Sequence, residues 1–147
     1  MILDSLRWLS NHQKVNVYAF SIMPTHIHLI WQLTAQNGKE SPKASFMKFT
    51  AHSLRKYLVA ENRLHLYQVS LSNKRHEIWQ PDALGIEIYS RKVARQKLEY
   101  IHRNSVAGKW RLVKDDISYH YSSALFYETG EDRFGFLRNI FTVFDGR

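Results

Sequence analysis

His26 and His28 are separated by a single residue. In an extended strand, residues two apart leave the same face. Two imidazoles at that spacing can hold one divalent ion and leave positions open for a substrate. The same spacing also describes two histidines on a solvated strand face. A second pair lies further along the chain: Tyr100 and Asn104, one helical turn apart. A phenol becomes a nucleophile when a metal or base assists it. An amide oxygen can ligate a hard cation. A surface tyrosine with its ring packed and its hydroxyl wet fits that pattern equally well.

The elements that must carry these groups follow from the hydrophobic pattern. Ile2, Leu3, Leu6 and Leu9 have helical spacing. Residues 15–22 are β-branched and aromatic and read as a strand. Residues 26–33 read as a second strand, and the short Met23-Pro24-Thr25 break predicts an antiparallel hairpin. On the second strand, His26, His28, Ile30 and Gln32 share one face. Ile27, Leu29, Trp31 and Leu33 share the other, which is apolar and is expected to meet the core helices. Ser41 and Pro42 predict a helix start, with Phe46, Phe49, Leu54, Tyr57 and Leu58 available for burial up to about Glu61. Residues 62–76 suit either an edge strand or a packed loop. Short extended pieces are expected at 77–80 and 85–89. Ser90 predicts the cap of a helix ending near Gly108. On that helix Ala94, Leu98, Ile101 and Ser105 form the core stripe, and Tyr100 and Asn104 lie off it. The tail from Trp110 is expected to pack as short helices and loops.

The chain has 147 residues, 44% of them apolar, which is the size and composition of one domain with a buried core. The expected division is a core at 1–108 and a C-terminal extension at 109–147. Lys and Arg number 21 against 13 Asp and Glu, a net charge of +8 that favours a polyanionic partner. There is no cysteine, which excludes disulfides, thiolate metal sites and a cysteine nucleophile. No stretch is long and apolar enough to span a membrane, and no leader is visible, so no membrane partner and a cytoplasmic location are expected.

Five segments, in order, resemble one family. Residues 17–31, with Met23-Pro24-Thr25-His26-Ile27-His28, resemble the strand–turn–strand of the IS200-like tyrosine transposases of the HUH type, which act on single-stranded DNA. Residues 44–52 look like that family's middle helix, and His76-Glu77-Ile78-Trp79-Gln80 like its Trp-Gln strand entry. Tyr100-Ile101-His102-Arg103-Asn104-Ser105-Val106 resembles its Tyr-Ile-His-x-Asn-Pro-Val segment. Tyr119-His120-Tyr121-Ser122-Ser123-Ala124 resembles the Tyr-x-Tyr-Ser-Ser-Ala element that follows. The tail is similar to that of the branch associated with repetitive extragenic palindromes.

The resemblance implies an α+β, ferredoxin-like antiparallel sheet with helices, here without the family's first strand. It implies a Mg²⁺ or Mn²⁺ ion held by His26, His28 and Asn104. Tyr100 would attack a phosphodiester in single-stranded DNA beside a hairpin, giving a 5′-phosphotyrosine link and a 3′-hydroxyl, so that strands are cut and rejoined. His102 is a candidate proton carrier or phosphate contact. Lys48, Arg55, Arg95, Lys97, Arg103, Lys109 and Trp110 are candidates for holding the DNA, and Tyr119 for stacking on a base. Insertion-sequence relatives are dimers, whereas the palindrome-associated branch is compatible with a monomer. The chain opens at the first helix, as expected either of a truncated copy or of a relative whose translation starts further upstream. Thr25 and Ser105 replace the family's usual Asn and Pro. Three alternatives stay open: a copy that binds hairpin DNA without cutting it, an RNA-binding ferredoxin-like domain, and a metal-dependent phosphodiesterase in which water attacks.

Overall fold

A computed structural model describes residues 1–24, 26–63, 68–71, 74–76, 87–106 and 115–145. Helix α1 is Ile2–Asn11, strand β1 Val15–Ile22, strand β2 Ile27–Leu33 and helix α2 Pro42–Ala60. Strand β3 is Gln68–Leu71, β4 Lys74–His76, helix α3 Arg91–Arg103 and helix α4 Ala124–Thr129. Short 3₁₀ turns lie at Asp116–Ser118 and Ile140–Phe144. The architecture is α+β. Among the described residues the strands form two separate antiparallel pairs, β1–β2 and β3–β4, and the expected ferredoxin-like sheet is not formed. The extended piece expected at 77–80 and residues 85–86 of the one expected at 85–89 lie outside the described residues, and residues 87–89 are not in a strand.

The chain divides into two compact units. Residues 1–14 and 35–86 form the first, in which α1 packs on α2. Leu6 and Leu9 fill the buried side of α1. Ser41 Oγ accepts from Ala44 N at 3.1 Å and Pro42 takes the first helical position, so α2 starts where its sequence directs. Its buried stripe is Phe46, Thr50 and Leu58. Phe49 and Tyr57, expected to be buried, are half exposed. Each precedes a buried residue and is turned about 100° from it. Within the ambiguous segment the described residues 68–71 and 74–76 pair as antiparallel strands β3 and β4, with Gln68 opposite His76.

Residues 15–34 and 87–147 belong to the second unit, so the expected C-terminal extension packs with the β1–β2 hairpin and α3. The hairpin is in register from Ile22↔Ile27 to Val15↔Leu33, with one irregularity. Val17 opposes Trp31 but Ala19 opposes Ile30, so Tyr18 is an extra, bulged residue. The outer edge of β1 is closed by the tail. Ile22 N donates to Tyr121 O at 2.8 Å, Ser123 N to Phe20 O at 3.0 Å and Arg138 N to Val17 O at 3.0 Å. These bonds satisfy groups that an open edge would leave unpaired.

Both faces of the hairpin are covered. Tyr18 and Ala19 form one core cluster with Ala94, Leu98 and Ile101 of α3 and with Ile140, and Ile30 packs against it. On the opposite face the Phe20 ring lies 4.9 Å from Phe134 and 6.1 Å from Phe136. The tail also clamps α3. Arg91 donates to Asp145 at 2.7 Å, and the Arg91 and Arg95 guanidinium groups lie 5.4 and 5.1 Å from the Phe141 ring centre. The Tyr127 hydroxyl donates to Tyr18 O at 2.7 Å and accepts from Ile140 N at 3.0 Å, joining strand, α4 and tail.

Candidate functional site

Alternation along β2 places His28, Ile30 and Gln32 on one face, as the sequence indicates. The helix, however, packs on that face: Ile30 joins the α3 cluster, while Leu33 on the other face is 46% exposed. The expected split, with helices on the purely apolar face, is therefore corrected for α3. The bulge is the physical cause. It turns both Tyr18 and Ala19 toward α3, and the Tyr18 hydroxyl donates to Gln32 Oε1 at 2.9 Å on that same face.

Helix α3 begins with Ser90 Oγ accepting from Val93 N at 3.2 Å. Its buried stripe is Ala94, Leu98 and Ile101, continued by Ser105, as its periodicity requires. It ends at Arg103 rather than near Gly108, and Asn104 is its C-cap. Ala19, Ser21, Ala94 and Ser105 are all fully buried, and their small side chains permit a close approach of helix and strand. Tyr100 sits on the flank of this helix and is 63% exposed.

That approach brings three sequence-selected residues together. The His28 and Tyr100 rings meet edge to face with centres 5.6 Å apart. The His26 and His28 rings meet edge to face at 4.9 Å. His26 belongs to the turn ahead of β2 rather than to the strand itself, and its carbonyl accepts from Met23 N at 2.8 Å. His28 is half-buried, and burial followed by the neighbouring His26 lowers its pKa from the ordinary imidazole value. The shift favours the neutral imidazole, the form that ligates metals. The two rings are near enough for one divalent ion to be shared between them. No group of three or more His, Cys, Asp or Glu side chains able to hold a metal exists among the described residues. An ion at this pair would need further ligands, such as water or substrate oxygens, to complete its shell.

Asn104 is half-buried, one turn past Tyr100. His102 goes elsewhere. It is 6% exposed, its Nε2 lies 2.7 Å from Ser123 Oγ, and that hydroxyl also accepts from Phe20 N at 3.0 Å. Its placement is that of a strut between α3, the tail and β1. Arg103 is exposed and Lys97 half-buried on α3. Arg95 is committed in part to the Phe141 ring. Lys48 and Arg55 are exposed on α2, a helix with no acidic residue, in the first unit. Lys109 and Trp110 lie outside the described residues.

Sequence reasoning picked Tyr119 as a stacking residue and passed over Tyr121. In the structure Tyr119 is half-buried with its hydroxyl on Ile22 O, and Tyr121 is the exposed ring. The alternation of aromatic residues at 119 and 121 marked the pair but not which member faces solvent. Comparison with protein-family models, curated proteins and solved structures gave no match.

Proposed function

We propose that this protein is a tyrosine strand-transferase that cuts and rejoins single-stranded DNA beside hairpins. The observation that carries the reading is the contact of an exposed tyrosine with a paired-histidine cluster, Tyr100 on His28 on His26. A phenol with most of its surface in solvent can be reached by a polymer. The adjacent imidazoles can hold a divalent ion, and Asn104 can add its amide oxygen. Mn²⁺ suits this nitrogen-rich set better than Mg²⁺, which prefers oxygen. When bound, such an ion would polarise a phosphodiester and neutralise charge on its oxygens. The family resemblance and the net charge of +8 point to the same substrate class.

The chemistry is a transesterification. The Tyr100 phenol oxygen forms a bond to phosphorus as the bond to the 3′ oxygen breaks. The phenol proton leaves to solvent, and the departing 3′ oxygen takes one up. Attack by a 3′-hydroxyl on the phosphotyrosine reverses these steps, so no nucleotide cofactor is consumed.

The test is a covalent-capture gel. Labelled single-stranded DNA carrying a hairpin, taken from the flanks of the gene, is incubated with the protein and Mn²⁺ and then denatured. A slow-migrating adduct is expected, and it disappears in Tyr100→Phe and in His26→Ala. Cleavage that persists in Tyr100→Phe replaces this reading with a nuclease in which water attacks. Binding without cleavage leaves a hairpin-binding protein.

A further inference from the structure

An aromatic cluster stands on the outer edge of β1, at the end nearest the histidine turn. Tyr121 is half exposed. The His120 ring meets it edge to face at 5.1 Å, and the Tyr119 ring does so at 6.1 Å. The cluster is held by the backbone. Tyr121 O accepts from Ile22 N at 2.8 Å, and Ser122 bridges Ser21. The Tyr119 hydroxyl donates to Ile22 O. Arg133, exposed, donates to His120 O at 3.4 Å and so places a cation beside the rings.

Ile22 is also the residue opposite Ile27, which sits between His26 and His28. Two inter-strand steps of about 4.8 Å therefore separate the backbone of Tyr121 from that of the histidine strand. A few nucleotides of an unpaired strand cover that distance. A single strand lying across the histidine strand would run toward Tyr121 within a few nucleotides. Every base presents a π-face, and an anchored, exposed ring accepts one without needing a particular sequence.

We infer that Tyr121 is a stacking platform for an unpaired base a few nucleotides from the phosphate at Tyr100, with Arg133 on the adjoining backbone. This rests on the strand-transferase reading for its substrate, but it concerns a different residue and a different measurement.

The experiment uses two fluorescein-labelled probes: a 20-residue oligothymidylate and a 20-residue strand of abasic deoxyribose phosphates. Fluorescence anisotropy at fixed salt gives the affinity for each. Wild type is expected to prefer the strand with bases. Tyr121→Ala should weaken binding to oligothymidylate by about tenfold and leave the abasic strand unchanged. Tyr121→Trp should restore the preference. Tyr121→Leu keeps bulk without a ring, behaves as the alanine variant does, and covers the case in which alanine perturbs folding. The inference is overturned if wild type binds both probes equally, if Tyr121→Ala weakens both alike or neither, or if Tyr121→Leu keeps the preference. A preserved base preference with no covalent adduct would remove the strand-transferase reading and leave the platform. An adduct with no dependence on Tyr121 would do the reverse.

Discussion

His28 on β2 and Tyr100 on α3 lie 72 residues apart in the chain and meet edge to face with ring centres 5.6 Å apart. The contact exists because α3 lies on the histidine face of the hairpin, through Ala94, Leu98 and Ile101 against Tyr18 and Ala19. The nucleophile candidate is thus set by core packing on one side of its helix and left in solvent on the other.

Tyr100→Phe should leave stability unchanged to within about 0.5 kcal/mol, because the ring is 63% exposed and its packing is kept. Chemical denaturation of the two proteins should superimpose. The same variant should abolish the DNA adduct, so loss of activity with unchanged folding separates a reactive hydroxyl from a packed ring.

His28 should titrate below the ordinary imidazole value, because burial and then His26 disfavour its charged form. Its folded pKa lies below the unfolded one. The stability it contributes is complete above about 6.5 and is lost as pH falls through the lowered folded value. Nuclear magnetic resonance of the His28 ring proton against pH reads this directly. His26→Asn should move the midpoint partway back up. A His28 midpoint at or above the model-peptide value would contradict the half-buried placement.

His102 and Ser123 should behave as one structural unit. Ser123→Ala removes a hydroxyl that meets both His102 Nε2 and the Phe20 backbone, and should cost about 1–3 kcal/mol. His102→Ala adds a cavity and should cost about 2–4 kcal/mol. A double-mutant cycle should show the two losses to be less than additive, since both break the same bond. Additive losses would mean that the 2.7 Å contact contributes nothing.

The Tyr127 phenol is pushed up to about 12, burial being the main cause, and its ionisation should appear late in a spectrophotometric titration. Tyr127→Phe leaves Tyr18 O and Ile140 N without that partner and should lower stability by about 1–3 kcal/mol.

Lys48→Gln and Arg55→Gln remove exposed charges from α2 and should leave the melting temperature within about a degree or two. If the helix meets DNA, each should reduce the slope of log affinity against log salt by about one. An unchanged slope would exclude these two positions from the interface.

Local physics was legible in the sequence. Ser41 and Ser90 announced the starts of α2 and α3, since a hydroxyl before an apolar-periodic run satisfies helix N–H groups wherever it occurs. The stripe of Ala94, Leu98 and Ile101 followed from helical periodicity, which left Tyr100 outside it. Strand alternation paired His28 with Ile30 and Gln32. Alternation pointed to the purely apolar face of β2 for the helices, yet α3 covers the other, since both faces of the hairpin carry apolar side chains. That was decided by the extra residue at Tyr18, which turns it and Ala19 together toward the helix. A bulge leaves no periodic trace in a strand that carries apolar residues on both faces. His102 shows the same limit. Its motif neighbours suggested chemistry, but its angle on α3 sends it to Ser123, 21 residues on, which only the folded tail supplies. The closing of the β1 edge by residues 121–123 and 138 is likewise a long-range backbone event, made by N–H and C=O groups that every sequence shares. Side-chain pattern fixes what an element is, and the meeting of distant backbones fixes where it lies.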